Sequence, residues 1–305
     1  MLLFTHEAGL GHVMPQGHPE QVARLSRVHD VLADLTLDRR SAEPASPDAV
    51  MRCHPQTYLD ALERAAPLRG LVALDADTHM SPGTLDAAWR GAGAAVQAVD
   101  AVLGGADATA FCAMRPPGHH AETAKPMGFC LLGNVAIAAK HAMDAHGLAR
   151  VAVVDFDVHH GNGTQDLLWD EDRALFVSTH QSPLWPGTGM PGEDGAHGQV
   201  MNRTLDPNSG TREMRALYER EVLPRLDAFA PELVIVSAGF DAHVDDPLAN
   251  LRWTDDDFAW ITDRLVEVAR DHADGRVVSC LEGGYDLAAL GRSVRRHVDS
   301  LRGGA

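Results

Sequence analysis

Lysine is almost absent from this sequence. Of 305 residues only Lys125 and Lys140 are lysines, and nearly all the positive charge is arginine. With 26 basic against 43 acidic residues, the formal net charge is −17. A nucleic-acid binder needs a basic surface to neutralise phosphates, so that class loses ground. The acidic surplus could attract cationic substrates, but many soluble proteins are simply acidic, and the lysine scarcity reads as a lineage bias. Cysteine is sparse as well. Cys53, Cys112, Cys130 and Cys280 are scattered and no CxxC occurs. That speaks against a disulfide framework or a thiolate zinc cluster and sets a reducing, cytoplasmic location as the expectation. No apolar run is long enough to span a bilayer, and the opening MLLFTHEAGLGH has no basic leader, so neither a membrane span nor a secretory signal is expected. GxSxG and HExxH are both missing, which leaves serine-hydrolase and zinc-peptidase readings without support.

What is present is an ordinary globular composition, 45% apolar and 23% charged, in a chain long enough to bury a large core. Five short apolar runs read as strands buried on both faces: 108–114, 150–156, 174–179, 232–239 and 276–282. Helical patterns alternate with them. One is expected to start at Pro19, one spans REMRALYEREVLPRL, and one begins at Thr254 as N-cap with acidic residues in its first turn. This alternation predicts a single doubly wound α/β domain over residues 1–305, without a linker or repeat. In such a sheet the site lies beyond the carboxyl ends of the strands. RPPGHH, DVHHGNG, HQSPLWPGTG, GFDAH and GGYD each follow one of the five runs.

Two histidine doublets stand out, His119–His120 and His159–His160. Side chains alternate along an extended strand end, so Asp155, Asp157 and His159 share one face, and Phe156, Val158 and His160 the other. Asp157 and His159 can therefore hold one metal ion, with Asp241 the best third ligand from another strand end. Three protein ligands leave a position for water, the pattern of a catalytic zinc. His119 and His120 supply titratable groups without being needed as ligands, and Asp155 and Asn162 are available to fix their tautomers. Tyr285, after two glycines, can reach inward and donate to an oxyanion.

RPPGHHA, DFDVHHGNGTQ, SAGFDAH with the following DPL, and LEGGY, in this order and spacing, resemble the zinc-dependent histone deacetylase and acetylpolyamine amidohydrolase family. GHPE with Arg24 is similar too. The resemblance covers most of the chain. It implies an arginase-like α/β fold with an eight-stranded parallel sheet, helices on both faces and one zinc. It implies that Asp157, His159 and Asp241 bind zinc, and that His119 and His120 form an acid/base pair backed by Asp155 and Asn162 respectively. His120 would be the main base and then the proton donor to the amine, while Tyr285 would polarise the acyl carbonyl. Gly128, Phe129, Trp185, Leu248 and Gly284 would belong to the substrate tunnel. A potassium ion would use the Asp155 side chain, Ser178, and carbonyls of Asp155, Asp157, His159 and Thr179. His160 would be structural.

Some positions depart from the family pattern. Asn162 stands where one branch has aspartate, so His120 should have the lower pKa of the two cases. Trp185 is larger than the usual Phe or Tyr. Leu248 occupies the position where a polyamine-selective branch carries glutamate, and the segment between Tyr58 and Asp77 lacks a long insertion; both favour an acyl-lysine substrate. GTGMPG (187–192) matches GxGxxG but follows PLWP and contains Pro191, so it is no dinucleotide fingerprint. DAHVD (241–245) mimics a binuclear arginase motif without the second carboxylate-rich motif. The expected activity is removal of acetyl or related acyl groups from an amine such as acyl-lysine. The rivals are an acetylpolyamine or other small-amide hydrolase and a non-catalytic acyl-ligand binder. Asp and His ligands suit iron(II) as well as zinc, and the oligomeric state is open.

Overall fold

Parity along the strands builds the two faces of the fold. The computed structural model describes residues 1–303. Its strands are β1 (Leu2–Thr5), β2 (Asp38–Ser41), β3 (Val72–Ala73), β4 (His79–Met80), β5 (Thr109–Cys112), β6 (Val151–Asp155), β7 (Ala174–Gln181), β8 (Val200–Leu205), β9 (Leu233–Ala238) and β10 (Val277–Leu281). β3 and β4 form a small antiparallel pair. The other eight form one sheet in the order β2-β1-β5-β10-β9-β6-β7-β8, and every pairing in it is parallel. In β6, Val151 and Val153 pack on one side with helices Thr84–Leu103 and Asn134–Ala145. Ala152 and Val154 pack on the other with helices Val22–Leu32, Asp255–His272 and Leu287–Leu301.

β5, β6, β7, β9 and β10 are buried at every residue. Each large apolar side chain removed from water contributes about 1.5–3 kcal/mol, which is why these five strands show as apolar runs. The remaining three lack that signal. β1 is four residues long, β2 is the exposed edge segment DRRS, and β8 carries Asn202, Arg203 and Thr204. The helix expected from Pro19 starts at Val22. The helix expected through 212–226 is broken into Thr211–Leu217, a π turn at Tyr218–Val222, and Leu223–Phe229. Pro224 has no N–H for the carbonyl of Arg220, so regular α-helical bonding fails there. Thr254 is the N-cap as expected, in a capping box with Asp257.

Crossovers toward β8 carry their helices on the first face; crossovers toward β2 carry them on the second. One constant handedness requires that arrangement. The neighbours β6 and β9 therefore send their chains to opposite faces, and a crevice opens between their carboxyl ends. The residues after β6 and β9 are Asp157, His159 and Asp241.

Candidate active site

Asp157, His159 and Asp241 are buried, and one ligand atom from each lies within 4.8 Å of the others. The His159 ring Nδ1 is 3.1 Å from Asp157 Oδ1 and 3.2 Å from Asp241 Oδ2. Backbone amides hold the carboxylates: Gly283 N donates to Asp157 Oδ2, and Val158 N donates to Asp241 Oδ1, both at 2.9 Å. Asp241 Oδ2 is buried and receives no well-aligned hydrogen bond; it contacts the His159 ring at 3.2 Å. A buried carboxylate oxygen left poorly satisfied is costly, and a cation between these three groups would satisfy it. Two carboxylates and an imidazole suit Zn²⁺ or Fe²⁺. The electrostatics point the same way. Burial disfavours a charged His159, yet the neighbouring Asp157 and Asp241 carboxylates outweigh that and push its pKa up to about 10. The extra proton sits between two carboxylates, where a metal ion would bring positive charge. Gly283 must be glycine: a Cβ there would lie 2.1 Å from Asp241 Oδ2 and 2.5 Å from Asp157 Oδ2.

The first doublet stacks beside this cluster, its ring centroids 3.8 Å apart. His119 Nδ1 donates to Asp155 Oδ2 at 3.0 Å, and His120 Nδ1 donates to Asn162 Oδ1 at 2.8 Å. The two rings titrate in opposite directions. Burial opposes charge on His119, but Asp157 and Asp155 outweigh it and raise its pKa well above the usual range. Burial, then the positive His119 and His159, hold His120 well below it. His120 is the neutral ring of the pair, a state that can accept a proton.

A cavity of about 350 Å³ opens onto these groups, lined among others by His120, His159, Gly128, Phe129, Trp185, Leu248 and Tyr285. Trp185 packs edge-on to His120 with centroids 4.7 Å apart, and Phe129 packs edge-on to Tyr285. Phe129 adopts φ 68°, rare for a side chain of its size. Its N–H donates to Thr78 Oγ1 at 3.1 Å. Burial keeps the Tyr285 phenol protonated, with its pKa well above the usual value. A cavity with apolar walls, an acid/base pair and a three-ligand cluster is equipped to hydrolyse an acyl compound that enters end-on.

A model of the histone deacetylase domain matches residues 18–301. The chain belongs to the histone deacetylase family. It is 37% identical over 316 residues to histone deacetylase 10, chloroplastic, of Oryza sativa subsp. japonica, covering 96% of this chain and 71% of that protein. It is 41% identical over 276 residues to the histone deacetylase-like amidohydrolase of Pseudomonas aeruginosa, covering 88% and 72%. Its structure matches that of the HDA15 HD domain with a TM-score of 0.94 at 31% identity, over 99% of this chain and 89% of that one. The protein is a deacetylase, a hydrolase acting on amides.

Other residues of this deacetylase hold the site from behind. Gly284, expected at the tunnel, does not line the cavity. It takes φ 116°, a region nearly closed to other residues, and its carbonyl accepts from Arg24 Nε at 2.6 Å. The Arg24 guanidinium also lies 4.8 Å from the Tyr285 ring centre. Asp246 Oδ2 accepts from Tyr285 N at 2.7 Å, and its Oδ1 accepts from Leu248 N at 3.0 Å. Glu282 is buried and accepts from the amides of Gly118 and His119. The expected potassium set is adjacent by sheet register, with Asp155 beside Ser178. Ser178 Oγ bonds His180 Nδ1, and Thr179 Oγ1 bonds the Tyr218 hydroxyl. His160 bonds Thr188 Oγ1 and Gln165 Oε1, away from the ligand cluster.

The sequence reading did not single out Asp246 or Glu282. Each lies within a quoted motif, but nothing local marks their partners. His18 and Asp77, which line the cavity, were also missed; His18 Nε2 donates to the Asp77 carbonyl at 2.9 Å.

Proposed function

We propose that the protein is a zinc-dependent deacylase that removes acetyl or related acyl groups from the side-chain amine of lysine. The buried Asp157, His159 and Asp241 cluster, whose His159 lines an apolar-walled cavity, carries this reading. Asp157, His159 and Asp241 would hold the ion. Zinc bound there would lower the pKa of a water molecule and polarise the acyl oxygen. His120 accepts the water proton at Nε2, because its Nδ1–H is engaged by Asn162, and delivers a proton to the departing amine. His119 donates its Nδ1–H to Asp155 and stacks on His120 beside the reacting centre. Tyr285 donates its O–H to the acyl oxygen as negative charge develops there. Phe129, Trp185 and Leu248 flank the aliphatic stem of the substrate. A structural potassium ion, using Asp155, Asp157, His159, Ser178 and Thr179, belongs to the same reading. Four buried free cysteines fit a cytoplasmic location. No helix among the described residues is long and apolar enough to cross a membrane.

Asp77, a carboxylate that lines the cavity, favours a second reading, an acylated polyamine whose distal cation meets it. A panel of acetyl-lysine peptides, acetylputrescine, acetylspermidine and longer acyl-lysines, run with metal content measured, separates the two. Acetyl-lysine should have the highest kcat/KM. A clear preference for acetylspermidine would overturn the lysine assignment.

A further inference from the structure

The general base is backed by an amide, and an amide has two different ends. Asn162 Oδ1 faces His120 Nδ1 at 2.8 Å and accepts its proton. If the amide turned over, its NH₂ would face Nδ1. Nδ1 would then have to accept, and the ring proton would move to Nε2. A neutral imidazole with its proton on Nε2 cannot take one from water at that atom. Asn162 therefore supports the base in only one of its two orientations, a difficulty that a carboxylate would not have.

Something must hold the amide the right way round. Asn162 Nδ2 donates to Glu122 Oε1 at 2.8 Å. Its other neighbour is Met127 Sδ at 3.3 Å, a weak acceptor. Overturned, the amide would set its oxygen against the Glu122 carboxylate and lose a charge-assisted hydrogen bond. Glu122 is itself fixed. It starts a tight turn closed by Glu122 N to the Lys125 carbonyl at 3.0 Å. Thr123 in that turn gives both its N–H and its hydroxyl to Asp166 Oδ2, at 2.8 and 2.7 Å. Asp166 lies on the same helix as Asn162, Asn162–Leu168. The turn and the helix are thus pinned together beside the contact that matters. Glu122 Oε2 faces the exposed Lys125 at 3.9 Å, leaving Oε1 for the amide.

We infer that Glu122 is a positioning residue that sets the tautomer of His120 through Asn162. It touches neither substrate nor metal ligand. It completes a His–Asn–Glu chain in which the negative charge stands one residue further from the base. The inference rests on His120 being the general base.

The test is a cycle of variants at positions 122 and 162, with kcat and KM on an acetyl-lysine peptide, metal content and melting temperature measured for each. Glu122→Ala should lower kcat by about tenfold, the equivalent of one charge-assisted hydrogen bond, with KM, metal and melting little changed. Glu122→Gln keeps an acceptor for Nδ2 and should recover most of that loss. In an Asn162→Asp background both ends are oxygens and orientation no longer matters. There Glu122 becomes a repelling neighbour, so adding Glu122→Ala should raise kcat. An unchanged kcat in Glu122→Ala, or equal losses from it in both backgrounds, would overturn the inference. His120→Ala distinguishes the underlying reading: if that variant kept full turnover, His120 would not be the base and the inference would fall with it. A slow His120→Ala beside an unaffected Glu122→Ala would remove the role of Glu122 alone.

Discussion

Two groups of histidine and aspartate sit at opposite ends of the sheet. Asp157, His159 and Asp241 lie past the carboxyl ends of β6 and β9. Asp100, His141 and His146 lie near the amino ends of β5 and β6, on and just after two helices. Residue types are similar, yet the geometry differs. In the second group both Nε2 atoms bond a single oxygen, Asp100 Oδ1, at 2.6 and 2.7 Å. The hydrogen bonds are closed and Asp100 is exposed. In the first group the spacings are 3.1 and 3.2 Å, every member is buried, and Asp241 Oδ2 receives no well-aligned hydrogen bond. A surface cluster can satisfy itself and water does the rest. A buried cluster with a poorly satisfied acceptor is a candidate for holding a cation. The comparison teaches that satisfaction of hydrogen bonds, rather than ligand identity, separates a candidate metal site from an ion-pair cluster.

The comparison breaks most sharply at the ligands. Asp157→Ala or His159→Ala should lose both metal and turnover, as elemental analysis and a deacetylation assay would show. An active wild-type preparation should hold one equivalent of zinc, and two equivalents of manganese would defeat the mononuclear reading. Gly283→Ala replaces no ligand but drives a methyl into both carboxylates. It should also lose the metal, and a variant with full metal content would show that the loop yields more easily than its packing implies.

Chemistry beside the ligands should fail without metal loss. Tyr285→Phe removes one oxyanion donor and should lower kcat by about 10²–10³-fold. Its KM should change little, since the bond strengthens only in the transition state. Full activity would mean that another group holds the oxyanion, whereas an inactive wild type that binds acetylated ligand tightly would favour the non-catalytic reading. The smallest effect belongs to the far cluster. Asp100→Asn should leave metal content and turnover unchanged and shift stability by no more than about 1 kcal/mol, the usual range for exposed ion pairs. A second equivalent of metal in the wild type, absent from Asp100→Asn, would erase the distinction between the clusters.

What was legible beforehand follows burial and local order. The five strands buried on both faces appear as apolar runs, and the polar stretches just beyond them appear as the site. β2 was hidden because an edge strand with an exposed DRRS sequence is held by its backbone ladder to β1, which leaves no side-chain pattern. The π turn at Tyr218–Val222 was hidden because the apolar spacing runs straight through it.

By itself the sequence determined which chemical groups cluster at strand ends. The motifs resemble one family over most of the chain, whereas the strand alternation expected for Asp157 and His159 does not apply, because β6 ends at Asp155 and bends carry both residues. Only the tertiary structure decided which polar atoms meet across long stretches of chain. Arg24 reaches the carbonyl of Gly284, 260 residues away, Asp246 bonds Tyr285 N 39 residues on, and Glu122 bonds Asn162 across 40. Hydrogen bonds of this kind depend on distances of a few tenths of an ångström between loops from different strands. Those distances are set by how the sheet twists and its helices pack, and no local pattern of residues encodes them.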